Sequence, residues 1–174
     1  MDINNKRKLV IGSAGKKHSD AITLDIEEAH NPDVVHNLMN APYPFEDNAF
    51  DEIVAHHVLE HMDDITCVMS ELYRICSSQG QIFIEVPHHT SCYAHDPFHK
   101  IYFSSFSFDG FVENNQTWIV GKKYRCLKKE ITFHKYHRML FLHKLFNRYP
   151  LMYERFFCYI FPAEHFKICL QPLK

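Results

Sequence analysis

The stretch Lys8-Leu9-Val10-Ile11-Gly12-Ser13-Ala14-Gly15, followed after a polar interval by Ala21-Ile22-Thr23-Leu24-Asp25, decides the fold. Each half is a short apolar run closed by a glycine or an aspartate, the pattern of a buried strand that ends at a sheet edge. Nine residues, Ser13 to Ala21, join the two runs. A parallel crossover normally takes about ten to twelve residues including its helix. The first helix is therefore predicted to be shortened or missing.

Outward from this pair, Asp33-Val34-Val35-His36 gives a weaker third strand. A loop between Asn40 and Asn48 contains Pro42 and Pro44, after which Phe50 to His56 resumes an extended pattern. Leu59, Met62, Ile65, Val68, Met69, Leu72 and Ile75 recur at three- and four-residue steps and predict a helix from Leu59 to Cys76, ended before Gly80. Gln81 to Val86 reads as a strand stopped by Pro87. Glu130 to Tyr136 and His165 to Leu170 read as later strands, flanking an aromatic helical segment from about Arg138 to Phe161 that Pro150 interrupts. Strands alternating with loops and a helix predict an α/β, Rossmann-like three-layer sandwich with a mostly parallel sheet. Its polar strand ends would line the crevice where a ligand sits.

With 174 residues, 46% of them apolar, the chain can bury one core of ordinary size. Six scattered cysteines (Cys67, Cys76, Cys92, Cys126, Cys158 and Cys169) form no C-x-x-C pair, which predicts reduced thiols and a cytoplasmic protein. Lys6, Arg7 and Lys8 precede only Leu9-Val10-Ile11, too short a run for a signal-peptide core. Residues 1–116 carry 7 Lys and Arg against 18 Asp and Glu, whereas residues 117–174 carry 12 against 3. The acidic front disfavours nucleic acid as a partner. The basic tail reads as a solvated face that could also attract an anionic small molecule or a membrane surface. Lys144, Arg148, Pro150, Glu154 and Arg155 break the apolar stretch from Met139 to Phe161, so no transmembrane segment is predicted and peripheral contact is the membrane role left open.

The ordered series of a strand with Gly12-Ser13-Ala14-Gly15, a strand with Asp25, Pro44-Phe45-Glu46-Asp47-Asn48-Ala49-Phe50-Asp51 and His57-Val58-Leu59-Glu60-His61 resembles the small class I S-adenosylmethionine-dependent methyltransferases of type 11. The resemblance covers about residues 8–87, with Ala14 standing where the family prefers its second glycine. It implies S-adenosylmethionine as cofactor and one methyltransferase-like domain over 1–174. Residues 1–87 would bind the cofactor, and 88–174 would supply the acceptor-side loop, the aromatic helical segment and the last strands. Gly12, Ser13, Ala14 and Gly15 would hold the methionine part through close backbone approach. Asp25 would accept hydrogen bonds from the ribose diol, with Ile26 beside it. Asn37 and Leu38 would meet the adenine, and His56 and His57 would close the fourth strand against the cofactor.

Methyl transfer asks the protein for alignment, exclusion of water and a base when the acceptor carries a proton. The segment His88-His89-Thr90-Ser91-Cys92-Tyr93-Ala94-His95-Asp96-Pro97-Phe98-His99 resembles the D-P-x-H segment of some of these enzymes. His88, His89, His95 and His99 are the base candidates, with Asp96 able to orient a ring. The predicted function is methyl transfer to a small-molecule acceptor. A non-catalytic scaffold that kept the sheet is the alternative. His57-x-x-Glu60-His61 also matches the H-x-x-E-H pattern of inverted zinc peptidases. Because His57 closes a strand, no metal ligand is assigned.

Overall fold

The computed structural model describes residues 7–112, 124–135 and 141–174. Its centre is a seven-stranded sheet of β1 (Lys8–Ile11), β2 (Ile22–Asp25), β3 (Val34–Val35), β4 (Phe50–His56), β5 (Cys76–Pro87), β6 (Tyr124–Phe133) and β7 (Ala163–Pro172), in the order β3-β2-β1-β4-β5-β7-β6. The first five strands are parallel, and β7 runs antiparallel to both β5 and β6. Strand order reverses between β1 and β4, the place where open α/β sheets leave a crevice at their carboxyl ends.

Helices are few. Residues 12–21 between β1 and β2 contain none, and the β2–β3 connection holds only the 3-10 turn Glu28–His30. The β3–β4 loop is instead pinned by side chains of α1 (Ile65–Ile75): Arg74 donates to the carbonyls of Tyr43 and Phe45, and Glu71 accepts from the Tyr43 N–H at 2.7 Å. The helix predicted from Leu59 splits in two. Leu59–His61 forms a 3-10 turn, and Asp64 then caps α1 by accepting from the N–H groups of Thr66 and Cys67. An aspartate free to bond the backbone favours a new helix start over continuation. The chain enters β5 directly at Cys76, five residues earlier than the apolar pattern from Gln81 indicates.

The two faces of the sheet differ. Ile53, Ala55, Ile82, Ile84 and Val86 join Val68, Met69, Leu72 and Ile75 of α1 in the core. On the other face Lys8, Val10, Glu52, Val54, His56, Phe83 and Glu85 line a hollow of about 650 Å³. Parallel strands are usually covered on both faces. Among the described residues no helix follows β1 to cover this face, which carries cross-strand ion pairs, Lys8 with Glu52 at 3.0 Å and Lys167 with Glu85 at 2.9 Å.

The second half packs aromatically. Phe103, Phe108, Phe133, Phe146, Tyr153 and Phe166 are all buried. α2 (Leu142–Arg148) is fastened to β6 by Asn147, whose amide accepts from the Ile131 N–H and donates to the Ile131 carbonyl. Pro150 opens a new short turn, Pro150–Met152, which runs into the π-helical turn Tyr153–Phe157. β6 begins at Tyr124, before the predicted Glu130. Tyr136 and residues 138–140 of the predicted elements lie outside the described residues. Among the described residues no helix is long and apolar enough to cross a membrane.

Candidate active site

A cavity of about 320 Å³ opens at the carboxyl ends of β1 and β2, lined by Gly12, Ala14, Asp25, Ile26, Asn37, Leu38, His57, Val58, His61 and Met62 among others. Gly12 begins it because nothing larger fits: its φ is +68°, and a Cβ there would lie 2.1 Å from Val58 Cγ2. Ala14 adopts φ +46°, which turns its N–H onto Asp25 Oδ2 at 3.0 Å. The other Asp25 oxygen accepts from the Glu27 N–H at 3.1 Å. Asp25 is only 7% exposed. Burial alone would raise its pKa, but the two backbone donors and the neighbouring His30 outweigh burial and hold it below the ordinary carboxylate value. An ionised, rigid carboxylate therefore stands in the wall of this cavity.

Of the residues expected at the cofactor, Gly12, Ala14, Asp25, Ile26, Asn37, Leu38 and His57 meet around this cavity. Ser13 and His56 line the hollow on the open sheet face instead, and Gly15 lines neither. Asn37 spends its side-chain oxygen on the Met39 N–H at 2.9 Å, closing a local turn.

A second cavity of about 510 Å³ adjoins the first and is lined by His57, Glu60, His61, Pro87, Tyr93, Asp96, His99, Glu164 and His165. His57 and His61 line both. His57 has φ +55° immediately past β4, which turns the chain into the Leu59–His61 turn. The Glu60 carbonyl receives the N–H groups of Lys100 and Ile101, so the loop after β5 is tied to the end of β4. Asp96 accepts from the Phe98 N–H and shapes the turn that delivers His99. Tyr93 stacks on His165 at 6.1 Å between ring centroids. The neighbouring Glu60 raises the His57 pKa, whereas burial, and His57 itself, lower that of His165.

The predicted base candidates separate. Asp96 and His99 reach the second cavity. His88 is wholly buried, Nδ1 on Thr90 Oγ1 at 2.8 Å and Nε2 on Glu154 Oε1 at 3.1 Å. His89 packs beside it, ring centroids 4.3 Å apart, and His95 lies against Tyr102. Glu154 also accepts from the Ser105 N–H and hydroxyl. Burial opposes its ionisation, yet His88 and Ser105 hold its pKa down at about 2. His88 and Glu154 thus join the end of β5, the following loop and the π-helical turn. Glu60, His61, Glu164 and His165 were not among the predicted site residues. The H-x-x-E-H motif was the one signal for the first two, but its two histidines do not share a helical face here, since His57 precedes a 3-10 turn.

The methyltransferase domain family, Methyltransf_11, matches residues 14–84. No curated protein sequence matches the chain. Solved structures of similar fold include a SAM-dependent methyltransferase from Archaeoglobus fulgidus, with 17% identity, TM-score 0.63, and 97% of this chain and 87% of that chain covered. The complex between the Haloferax volcanii Trm112 methyltransferase activator and a methyltransferase gives 11% identity and TM-score 0.62 over 96% of this chain and 82% of that chain. The [4+2]-cyclase SpnF gives 12% identity and TM-score 0.62 over 95% and 75%. Identities this low speak for the fold, and one fold hosts more than one chemistry.

Proposed function

We propose that this chain, a class I S-adenosylmethionine-dependent methyltransferase, methylates a small molecule held in the histidine-lined cavity beyond β5. The observation that carries the proposal is the shared wall: His57 and His61 face both the cavity bounded by Asp25 and the one bounded by His99 and His165. A nucleoside in the first would thus adjoin an acceptor in the second.

The first cavity fits the cofactor chemically. Asp25 offers an ionised acceptor for ribose hydroxyls, while Ile26, Leu38, Val58 and Met62 offer apolar surface for a base. The cofactor supplies an activated methyl group, so the chain's own work is alignment and proton removal. In the second cavity His165, kept neutral by burial, receives the acceptor's proton. Glu60, Asp96 and Glu164 in the same wall favour a neutral or cationic acceptor over the anionic one suggested by the basic tail.

Calorimetric titration with S-adenosylmethionine and S-adenosylhomocysteine tests this reading. Saturable binding is expected, weakened about tenfold to a hundredfold in Asp25→Ala, as for loss of about 1–3 kcal/mol of hydrogen bonding to a charged group. His165→Ala should lower turnover and leave S-adenosylhomocysteine affinity intact. Absence of saturable binding would leave a non-catalytic protein on a methyltransferase fold.

A further inference from the structure

We propose that Glu60, His61 and His99 bind a divalent transition-metal ion in the wall of the second cavity, and that its open coordination positions take an oxygen of the methyl acceptor. Three observations converge. Glu60 is 0% exposed, yet neither carboxylate oxygen has a hydrogen-bond partner among the described residues. A buried carboxylate without hydrogen bonds is costly, and an ion is a usual remedy. His57 Nδ1 lies 3.3 Å from Oε1 but lacks the alignment of a hydrogen bond.

The geometry of the histidines is the second observation. One ligand-capable atom each of Glu60, His61 and His99 lies within 4.8 Å of the others. Around a tetrahedral ion with bonds of about 2.0–2.2 Å, ligand atoms stand roughly 3.3 Å apart, so modest side-chain rotation closes the set. The third observation is what holds the rings. His61 Nδ1 faces the Phe98 carbonyl at 3.2 Å, and His99 Nδ1 faces the Ala94 carbonyl at 3.3 Å. A carbonyl only accepts, so Nδ1 is the donor of each ring and Nε2 is the atom left for a ligand. Metal-binding histidines are oriented in this way by outer partners.

A neighbouring group of similar composition, His57, Glu85 and His165, lacks the vacancy because Lys167 already neutralises Glu85 at 2.9 Å. Two imidazoles and one carboxylate suit zinc, cobalt, manganese or iron better than magnesium or calcium. Three protein ligands beside a cavity of about 510 Å³ leave positions for substrate, as in catalytic rather than structural sites. For a hydroxyl acceptor, coordination lowers the O–H pKa and the proton passes to His165. The oxygen then forms its bond to the methyl carbon as the carbon–sulfur bond breaks, leaving the electron pair on sulfur. This role rests on the methyl-transfer reading above, whereas metal binding itself does not.

The test uses the full chain, treated with chelator, desalted and titrated with Co²⁺ while visible absorption is recorded, then challenged with Zn²⁺. One Co²⁺ per chain, displaced by Zn²⁺, is expected. Affinity should fall at least tenfold in His61→Ala and His99→Ala and hold in His89→Ala. His99 lines only the second cavity, so its variant separates ligand loss from damage to the nucleoside site. S-adenosylhomocysteine titration of the same samples tells the two readings apart: metal without nucleoside binding sinks methyl transfer alone. No saturable Co²⁺ uptake, or uptake undiminished in both variants, overturns the metal site.

Discussion

Among the described residues, two of the clusters built from two histidines and a glutamate, His88-His89-Glu154 and Glu60-His61-His99, are in opposite states. In the first, one carboxylate oxygen accepts from His88 and from the Ser105 N–H and hydroxyl and so clamps three segments together. In the second, the carboxylate is more deeply buried and accepts no hydrogen bond among the described residues, while its histidines are oriented by backbone carbonyls. Residue types alone therefore do not distinguish a structural clamp from a site awaiting a ligand. The distinguishing property is whether the buried charge has already found its partners.

That contrast can be broken by substitution. Glu154→Ala should cost about 3–5 kcal/mol of stability in denaturant unfolding, because it strands His88 and Ser105 at a buried position. A loss under about 1 kcal/mol would mean that the clamp is no clamp. Acid sharpens the same point. Glu154 has a folded pKa near 2, depressed from an ordinary 4.5. Its contribution is fully present above the ordinary value and lost as pH falls through the folded one. The stability gap between the wild type and Glu154→Gln should shrink by about 3 kcal/mol between pH 5 and pH 2, following 1.36 kcal/mol per pKa unit. A gap constant over that window would contradict the assignment. Glu60→Gln, by contrast, should change the stability of the metal-free protein by less than about 1 kcal/mol, because the carboxylate has no hydrogen bond to lose. A marked destabilisation would show that Glu60 is already satisfied. Lys167→Ala, on the open sheet face, should change stability by about 0.5 kcal/mol or less, as surface pairs do. A larger loss would mean that this face is less solvated than it looks.

The sheet was legible because apolar runs ending in Gly12, Asp25, His56 and Pro87 report strand positions directly, and because the connection after Gly12 is too short for a helix. The alternation of Glu52, Val54 and His56 with Ile53 and Ala55 also carried the open face, although period two in a parallel strand is easily passed over. Helix limits were less legible: the apolar periodicity runs through Leu59 and Met62, and only the capping habit of Asp64 marks the break. The second cavity was hardest to read. Its histidines come from the turn after β4, the loop after β5 and the start of β7, and no local pattern announces that His61, His99 and His165 meet. His88 was misleading for the same reason, since the partner that occupies it, Glu154, lies far along the chain.

The missing helix between β1 and β2 also bears on how the chain finds its fold. Leu9 pairs with Ile22, a separation of 13 residues, where a βαβ unit usually needs about 30. Closing the shorter loop saves roughly 0.7 kcal/mol of chain entropy on the logarithmic scale of loop length. Leu9 must also reach Ile53, 44 residues away, to pair with β4. The bare crossover makes β1 and β2 a local pair that, with the equally local β2–β3 pair, offers a nucleus onto which the more distant β4 and β5 can add.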